Sequence, residues 1–383
     1  MISRQRPLAN LMFFLPFALV IAGCGTGSRP ENPSAIRIGV VLPFSGQLAA
    51  WGEEGKQAIE LAVEQASTSP ANRAAKVLYE DSKGDASDAV RAFRKLVDVD
   101  HVAAVIGEVT SSSTLAIAPV AQELKIPLVV PASTNQDITK AGNYVLRICF
   151  LDPQQGAAMA AFAFNKLGKR KIAILYDNGS DYSAGLADAF QRSFEALGGK
   201  VVGKAVSKSA DSDVRAQLLQ IKSWQPDAVF LPFEYPHAAQ TLRQAKTVNL
   251  NCTFLGGDAW SSPELFNIAG NAADGAFITA HFAPDSKSPV VVSFVSAFTA
   301  KYGRPPGNMA ALSYDAARIL IHAATVRTAA TSEALRHALF ATADFQGVTG
   351  TISIGPDGNA KKEIMILKTA SAKFEYVDTL RAQ

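Results

Sequence analysis

The chain alternates between two hydrophobic periods from Ile36 onward. A continuous apolar run at Ile36–Leu42 predicts a buried strand, and the stripe from Gly55 to Ala66 has the three- and four-residue spacing of an amphipathic helix. The same alternation predicts strands at 76–80, 102–107, 128–131 and 144–148 and helices at 86–97 and 115–124. Repeated strand–helix units of this kind predict a parallel sheet with helices on both faces.

A second, similar series begins after residue 153. It predicts helices at 156–167, 185–197, 214–224 and 238–248 and strands at 171–176, 200–205, 228–233, 253–257 and 275–279. The remaining residues predict helices at 291–302 and 312–330 and a hairpin around 355–358, too few elements for a third lobe. We therefore expect an α/β protein with two doubly wound lobes, 36–150 plus 281–364 and 151–280 plus 365–383, and a ligand cleft between them.

The N-terminal segment predicts export. Arg4 and Arg6 precede an uncharged apolar run at 11–22, which is too short for a comfortable membrane span and fits the core of a signal peptide. The run ends in Ile-Ala-Gly-Cys, which resembles a bacterial lipobox with Cys24 as the acylated residue. We expect a signal peptide at 1–23 and a lipidated tether at 24–35; the alternative is an ordinary signal peptide with an incidental cysteine.

Composition narrows the class of protein. The chain has 383 residues, 48% of them hydrophobic and 19% charged, which excludes a disordered chain and a small disulfide scaffold. The net charge is 37 − 34 = +3, and removal of residues 1–23, with two basic groups and no acidic ones, leaves 35 − 34 = +1. A nearly neutral exported protein is not expected to bind nucleic acid. Cys149 and Cys252 leave open either a disulfide or two free thiols.

Polar residues that suit an anion follow two strands of the first series. Ser and Thr residues are concentrated in two loops. One is 108–114, directly before a helix, and the other is 131–135, after the next strand. Helix N-termini offer unpaired N–H donors and the positive end of the helix dipole, so two such loops side by side suit one carboxylate. Plain helix capping is the alternative. Trp51, on the loop after the first strand, could close an apolar wall over a ligand or pack as a surface aromatic.

The second series places different side chains at its strand ends. The loops at 176–182, 233–235 and 256–260 carry aromatic residues and carboxylates. An anion site on one lobe and a carboxylate on the other are complementary to a zwitterion. The sequence therefore predicts a binding site for a small zwitterionic molecule in the cleft.

Residues 36 to about 370 resemble the periplasmic substrate-binding proteins of branched-chain amino acid ABC transporters, which have the type I periplasmic-binding fold with a three-strand hinge. The resemblance is based on the turns at 107–114 and 131–134, the lobe crossing at 151–156, the segments at 181–186 and 242–245, and Gly-Gly-Asp at 256–258. It implies an extracytoplasmic amino acid-binding component that delivers its ligand to permease subunits, acts as a monomer, and contacts the membrane only through its lipid.

The resemblance also implies residue roles. Ser111, Ser133 and Thr134, with the backbone amides of Ala132 and Thr134, would hold the α-carboxylate. Tyr182 would cover the ligand, Asp258 would pair with the α-ammonium, and Trp51 would cover the side-chain pocket. Glu234 departs from the family pattern, because an aromatic residue often stands there; a second carboxylate would favour a polar or cationic side chain over leucine.

Two alternatives remain. An exported hydrolase would need an activated nucleophile, but none of the five His residues falls in the hydroxyl-rich loops, and no nucleophile elbow, zinc motif or phosphate-binding loop occurs in the sequence. We therefore expect no enzyme, no cofactor and no metal. A ligand-sensing protein of the same fold, binding an amide or a small carboxylate, is the other alternative.

Overall fold

The computed structural model describes residues 1–2, 35–68, 75–326 and 331–381. Cys24, nearly all of the predicted signal peptide and tether, and the end of the helix predicted at 312–330 lie outside these described residues.

The first part of the chain forms a five-stranded parallel sheet in the order β2-β1-β3-β4-β5. Its elements are β1 (Ile36–Leu42), α1 (Ala49–Ser67), β2 (Ala75–Asp81), α2 (Ala86–Arg94), β3 (Ala104–Gly107), α3 (Ser111–Leu124), β4 (Leu128–Val130) and β5 (Val145–Arg147). The strands are apolar and mostly buried because helices cover both faces. This sheet confirms the predicted parallel fold.

The second part adds the elements of another sheet. They are α4 (Asp152–Ala161), β6 (Lys171–Tyr176), α5 (Asp181–Ala196), β7 (Lys200–Val206), α6 (Arg215–Ser223), β8 (Ala228–Leu231), α7 (Tyr235–Thr247), β9 (Thr253–Gly256), α8 (Glu264–Ala269) and β10 (Phe277–Ala280). The sheet order is β15-β14-β10-β9-β8-β6-β7, with β6 to β10 parallel to one another.

The last part returns to both lobes. It contains α9 (Pro289–Tyr302), α10 (Asn308–Val326), α11 (Ser332–Phe340), β11 (Phe345–Gly347), β12 (Gly350–Ile354), β13 (Ala360–Lys361), β14 (Glu363–Ala370) and β15 (Lys373–Arg381). Helix α10 packs along α1 of the first lobe, whereas the hairpin β14–β15 joins the second sheet antiparallel to β10. The strands β11 to β13 form a small antiparallel sheet that includes the predicted hairpin.

The chain passes between the two sheets three times: after β5, after β10, and between β13 and β14. These passages support the predicted lobe boundaries, 36–150 with 281–364 and 151–280 with 365–383, which stay a proposal. Strand β14 begins at Glu363, two residues before the predicted boundary. In the ranges that the structure describes, no helix has both the length and the apolar character needed to cross a membrane.

Several helices begin earlier than the hydrophobic pattern predicts. The structure starts α3 at Ser111, α4 at Asp152, α5 at Asp181 and α7 at Tyr235, three or four residues before each predicted start. These first turns consist of polar or aromatic residues that contribute little to the apolar stripe. Because these first turns are helical, the residues that come just after the strands lie at rigid helix N-termini beside the cleft.

Candidate functional site

One cavity between the lobes brings together the eight residues predicted to contact a ligand. Its lining includes Trp51, Ser111, Ala132, Ser133, Thr134, Tyr182, Glu234 and Asp258. All eight follow the carboxyl ends of parallel strands, which is where open α/β sheets place their ligands. The cavity also touches residues that the sequence analysis did not select: Val109, Thr110, Ala259, Ser261, Asn308 and Met309.

The first-lobe wall consists of Ser111 and residues 132–134. Ser111 is the first residue of α3, and its hydroxyl oxygen accepts a hydrogen bond from the amide of Asn135 at 3.3 Å. The amides of Ala132 and Thr134 donate to no backbone acceptor among the described residues. Together with the N-terminus of α3, these donors form a site with positive potential.

The hydroxyls of Ser133 and Thr134 have partners inside the protein. Thr134 Oγ1 donates to Asp152 Oδ1 at 2.7 Å. Ser133 Oγ lies 3.0 Å from the carbonyl oxygen of Glu108 and 2.6 Å from Thr114 Oγ1, so it also has internal acceptors for its single proton. The hydroxyls of residues 133 and 134 therefore donate within the protein. The hydrogen-bond donors left for a ligand are the backbone amides and the Ser111 hydroxyl.

The second-lobe wall consists of Tyr182, Glu234 and Asp258. The Tyr182 hydroxyl donates to Asp258 Oδ1 at 3.1 Å, and the amide of Asp258 donates to Gln155 Oε1 at 3.3 Å. Burial, followed by the charge of Asp258, raises the pKa of Tyr182 well above its usual value, so the phenol keeps its proton. Asp258 is 6% exposed and turns a carboxylate toward the cavity.

Asp258 has a further neighbour that the sequence did not indicate. His281 Nε2 lies 3.1 Å from Asp258 Oδ2, and the imidazole is fully buried. Asp258 therefore accepts hydrogen bonds from two neutral groups of the protein, the Tyr182 phenol and the His281 imidazole.

Glu234 is the residue immediately before α7, and its carboxylate makes no hydrogen bond or ion pair with any other described side chain. Burial raises the pKa of Glu234 to about 7, and the negative charges of Asp177 and Asp258 add to this rise. Glu234 also lines a second, wider chamber that opens outward between the lobes. Its carboxyl group therefore stands between the inner cavity and the cleft mouth.

Contacts across the cleft hold the two lobes together. Ser112 Oγ donates to Asp181 Oδ2 at 2.7 Å, and Asn135 Nδ2 donates to the carbonyl oxygen of Asp181 at 3.1 Å. The rings of Trp51 and Tyr235, one from each lobe, have centroids 5.4 Å apart, and the Tyr235 hydroxyl donates to the carbonyl oxygen of Gln47. The two lobes are therefore closed over the cavity in this structure.

Asn308 and Met309 reach the cavity from a different direction. They begin α10 after a Pro-Pro-Gly loop, and the buried carboxylate of Glu54 on α1 accepts from the amide of Gly307 at 2.7 Å. These residues follow a loop and not a strand, so the pattern of polar residues at strand ends does not indicate them. The Pro-Pro-Gly turn before a long helix was the signal available.

Cys149 and Cys252 are free thiols. Cys149 donates to the carbonyl oxygen of Ser133 at 3.2 Å, beneath the first-lobe wall. In the described ranges, no cluster of three or more His, Cys, Asp or Glu side chains could hold a metal ion.

Comparison with known proteins gives consistent matches over nearly all the folded chain. The family model described as periplasmic binding protein matches residues 35–373. A Leu/Ile/Val-binding protein of Rhizobium johnstonii is 33% identical over 267 residues, which cover 68% of this chain and 72% of the relative.

Solved structures match the fold closely. A leucine-binding protein from Thermotoga maritima has a TM-score of 0.87 at 34% identity, with 91% of this chain and 99% of that chain covered. A branched-chain amino acid transporter substrate-binding protein from Streptococcus pneumoniae, solved with isoleucine, has a TM-score of 0.86 at 29% identity, with the same coverage.

Proposed function

Since the chain belongs to the periplasmic binding protein family, we propose that it is the solute-binding component of an ABC transporter and captures an amino acid between its lobes. The names of its relatives, which bind leucine, isoleucine or valine, support this class of ligand. Family membership also makes it an extracytoplasmic binding protein. Release of the ligand to permease subunits would complete its role.

One observation carries the proposal: a cavity with amide donors on one wall and a carboxylate on the other. The α-carboxylate of an amino acid would accept from the amides of Ala132 and Thr134 and from the Ser111 hydroxyl. The α-ammonium would donate to Asp258 on the opposite wall. Because the ligand joins both lobes, it would stabilise the closed arrangement by mass action, by about 2.7 kcal/mol at 100 times Kd.

The test is a thermal-shift panel of the twenty common L-amino acids, with amides and small carboxylates beside them. We expect a rise in melting temperature with at least one α-amino acid and no rise in the Asp258→Ala variant. Asp98→Ala, an exposed carboxylate of the first lobe, is the matched control and should keep the shift. A panel in which only amides or small carboxylates bind would favour the ligand-sensing alternative, and no shift at all would refute both.

The side chain of the ligand would lie toward Trp51 and Glu234. The Glu234 carboxyl has only its own backbone amide as a hydrogen-bond partner among the described residues. It therefore favours a side chain that can donate a hydrogen bond or carry positive charge, because such a partner offsets the cost of partly burying a carboxyl group. We propose that Glu234 shifts the preference toward polar side chains relative to leucine. Calorimetry on Glu234→Leu should show a gain for leucine and a loss for the best polar ligand. If leucine binds the wild type best, this part of the proposal is wrong.

Lipidation at Cys24 is a separate part of the proposal, supported by the lipobox pattern. We expect the wild type in the membrane fraction of a bacterial host with lipoprotein processing, and the Cys24→Ala variant in the soluble fraction. A wild type that is already soluble would contradict the anchor and leave the binding function untouched. A monomeric mass by light scattering would support the proposed monomer.

A further inference from the structure

His281 occupies a hinge position between the two lobes. It directly follows β10, at the second passage of the chain between the two sheets, and its ring stacks on Phe150 with centroids 3.5 Å apart. Phe150 lies on the first passage between the lobes. The amide of His281 donates to Asn308 Oδ1 at 3.1 Å, at the start of α10. The residue thus lies on the second passage, contacts the first through Phe150, and bonds to two residues of the cavity lining, Asn308 and Asp258.

The imidazole has a defined tautomer in this environment. An ionised carboxylate only accepts hydrogen bonds, so the 3.1 Å contact with Asp258 Oδ2 requires the proton on Nε2. Nδ1 is buried and has no hydrogen-bond partner among the described residues. Burial lowers the pKa of His281 to about 4, against the opposing effect of the Asp258 carboxylate, so the ring is neutral at pH 7.

The charged groups around the ring act in opposite directions. Asp258 favours the imidazolium form, and Lys362, on the third passage, opposes it. Phe150 and Asn308, which contact His281, and the protonated phenol of Tyr182 carry no charge. Asp152, at the start of α4, is a further buried carboxyl that interacts with Asp258, and burial raises its pKa to about 7. A ligand ammonium placed on Asp258 would be another positive charge next to the ring.

We propose that His281 is a positioning residue for the ammonium site: its neutral imidazole orients Asp258 toward the cavity, and its protonated form competes with the ligand ammonium for that carboxylate. This rests on the proposed function, because it assigns Asp258 to the α-ammonium. It adds two consequences that amino acid binding alone does not require. Affinity depends on an N–H donor at position 281, and acid weakens binding through that residue.

Two variants separate these consequences from simple packing. His281→Gln places an amide donor that cannot titrate within reach of Asp258, and His281→Phe keeps a ring on Phe150 but removes the donor. The probe is the one of the twenty common L-amino acids that gives the largest thermal shift with the wild type. At pH 7 we expect His281→Gln to bind within about threefold of the wild type and His281→Phe to bind about tenfold more weakly or worse.

The pH profile gives the second readout. Wild-type affinity should fall by about twofold or more between pH 7 and pH 4, as the ring gains a proton, and His281→Gln should lose less over the same range. In NMR of ¹⁵N-histidine-labelled protein, the signal absent from His281→Gln should report a neutral ring protonated at Nε2, with a pKa that the probe lowers further.

The outcomes separate the inference from the function. If His281→Phe binds as tightly as the wild type, or if both variants have the wild-type pH profile, the role of His281 is refuted while amino acid binding stands. A wild type that binds no amino acid refutes the function itself. Should His281→Phe fail to fold, the affinity and pH profile of His281→Gln decide alone.

Discussion

Glu108 is a wholly buried carboxylate that organises the first-lobe wall. Its Oε1 accepts from Ser82 Oγ at 2.5 Å, and its Oε2 accepts from the amides of Val109 and Thr110 at 2.9 and 2.8 Å and from the Thr110 hydroxyl. Burial raises its pKa, and these hydrogen bonds oppose that rise. The side chain therefore fixes the turn that carries Thr110 and Ser111 into the cavity.

Replacing Glu108 by Gln should disturb this turn, because an amide offers one acceptor oxygen where the carboxylate offers two. At least one buried donor would lose its partner, at a cost of about 1–3 kcal/mol in the free energy of unfolding. Chemical denaturation measures the loss, and calorimetry should show weaker amino acid binding. Glu123→Gln, at the exposed C-terminal end of α3, the helix that follows this turn, should change stability by less than about 0.5 kcal/mol. Equal effects of the two variants would contradict the role of Glu108.

The turn between β9 and Asp258 packs closely against α5. A Cβ atom on Gly257 would lie 2.2 Å from the Tyr182 hydroxyl oxygen and 2.7 Å from Leu186 Cδ2. These distances are far below van der Waals contact, so only glycine allows the strand end and the helix to approach this closely. The approach is what lets Tyr182 donate to Asp258.

Gly257→Ala should displace Tyr182 from Asp258. We expect a loss of about 1–3 kcal/mol in stability from overpacking and roughly tenfold weaker amino acid binding. Gly185→Ala, on the same helix as Tyr182, is the control, because its added Cβ would meet its nearest atoms at 3.4 and 3.5 Å. Alanine there should keep affinity and raise stability by up to about 1 kcal/mol. Unchanged binding by Gly257→Ala would show that this contact is dispensable.

The alternation of strands and helices could be read from the sequence because each element has a strong pattern of its own. The strands β1 and β6, with bounds as predicted, are short runs, rich in Ile, Leu and Val in β1 and in Ile and Leu in β6. The helix α11 and the hairpin β14–β15 were not predicted as elements. The hairpin contains polar residues on an edge, where the pattern of a fully buried parallel strand no longer applies.

The sequence predicted those residues of the candidate site that come directly after a predicted strand. All eight predicted residues line one cavity, since parallel strands bring their carboxyl ends to one edge. Gln155 was missed because it lies on α4, 103 residues from Asp258 in sequence. His281 directly follows β10, but a single histidine at a strand end carries no pattern that indicates its contact with Asp258. The hydrogen bonds from the Ser133 and Thr134 hydroxyls to Glu108 and Asp152 could not be predicted either, since they depend on distances between atoms.

The lobes close through a few polar contacts at the rim, in addition to any contacts that a ligand supplies. Asp181 provides three of them: its carboxylate accepts from Ser112 Oγ, its amide donates back to the same hydroxyl oxygen at 3.2 Å, and its carbonyl oxygen accepts from Asn135 Nδ2. Asp181 is exposed and does not line the inner cavity. It can therefore alter the equilibrium between open and closed lobes without touching a bound amino acid.

Removing the carboxylate in Asp181→Ala should favour the open arrangement. One exposed hydrogen bond to a carboxylate contributes about 1 kcal/mol, so amino acid affinity should fall by about fivefold, mainly through faster dissociation. Small-angle scattering should give a larger radius of gyration for the variant than for the wild type without ligand, and equal radii at saturation.

The matched control is Asp188→Ala on the same helix, whose carboxylate pairs with the nearby Lys204 at 3.0 Å and has no hydrogen bond or ion pair with a first-lobe residue that the structure describes. It should leave both the radius of gyration and the dissociation rate unchanged. If Asp181→Ala dissociates as slowly as this control, the rim contact contributes nothing to closure. Closure would then depend on the hinge, the ligand and the other interlobe contacts, of which the ring contact between Trp51 and Tyr235 would be the next to test.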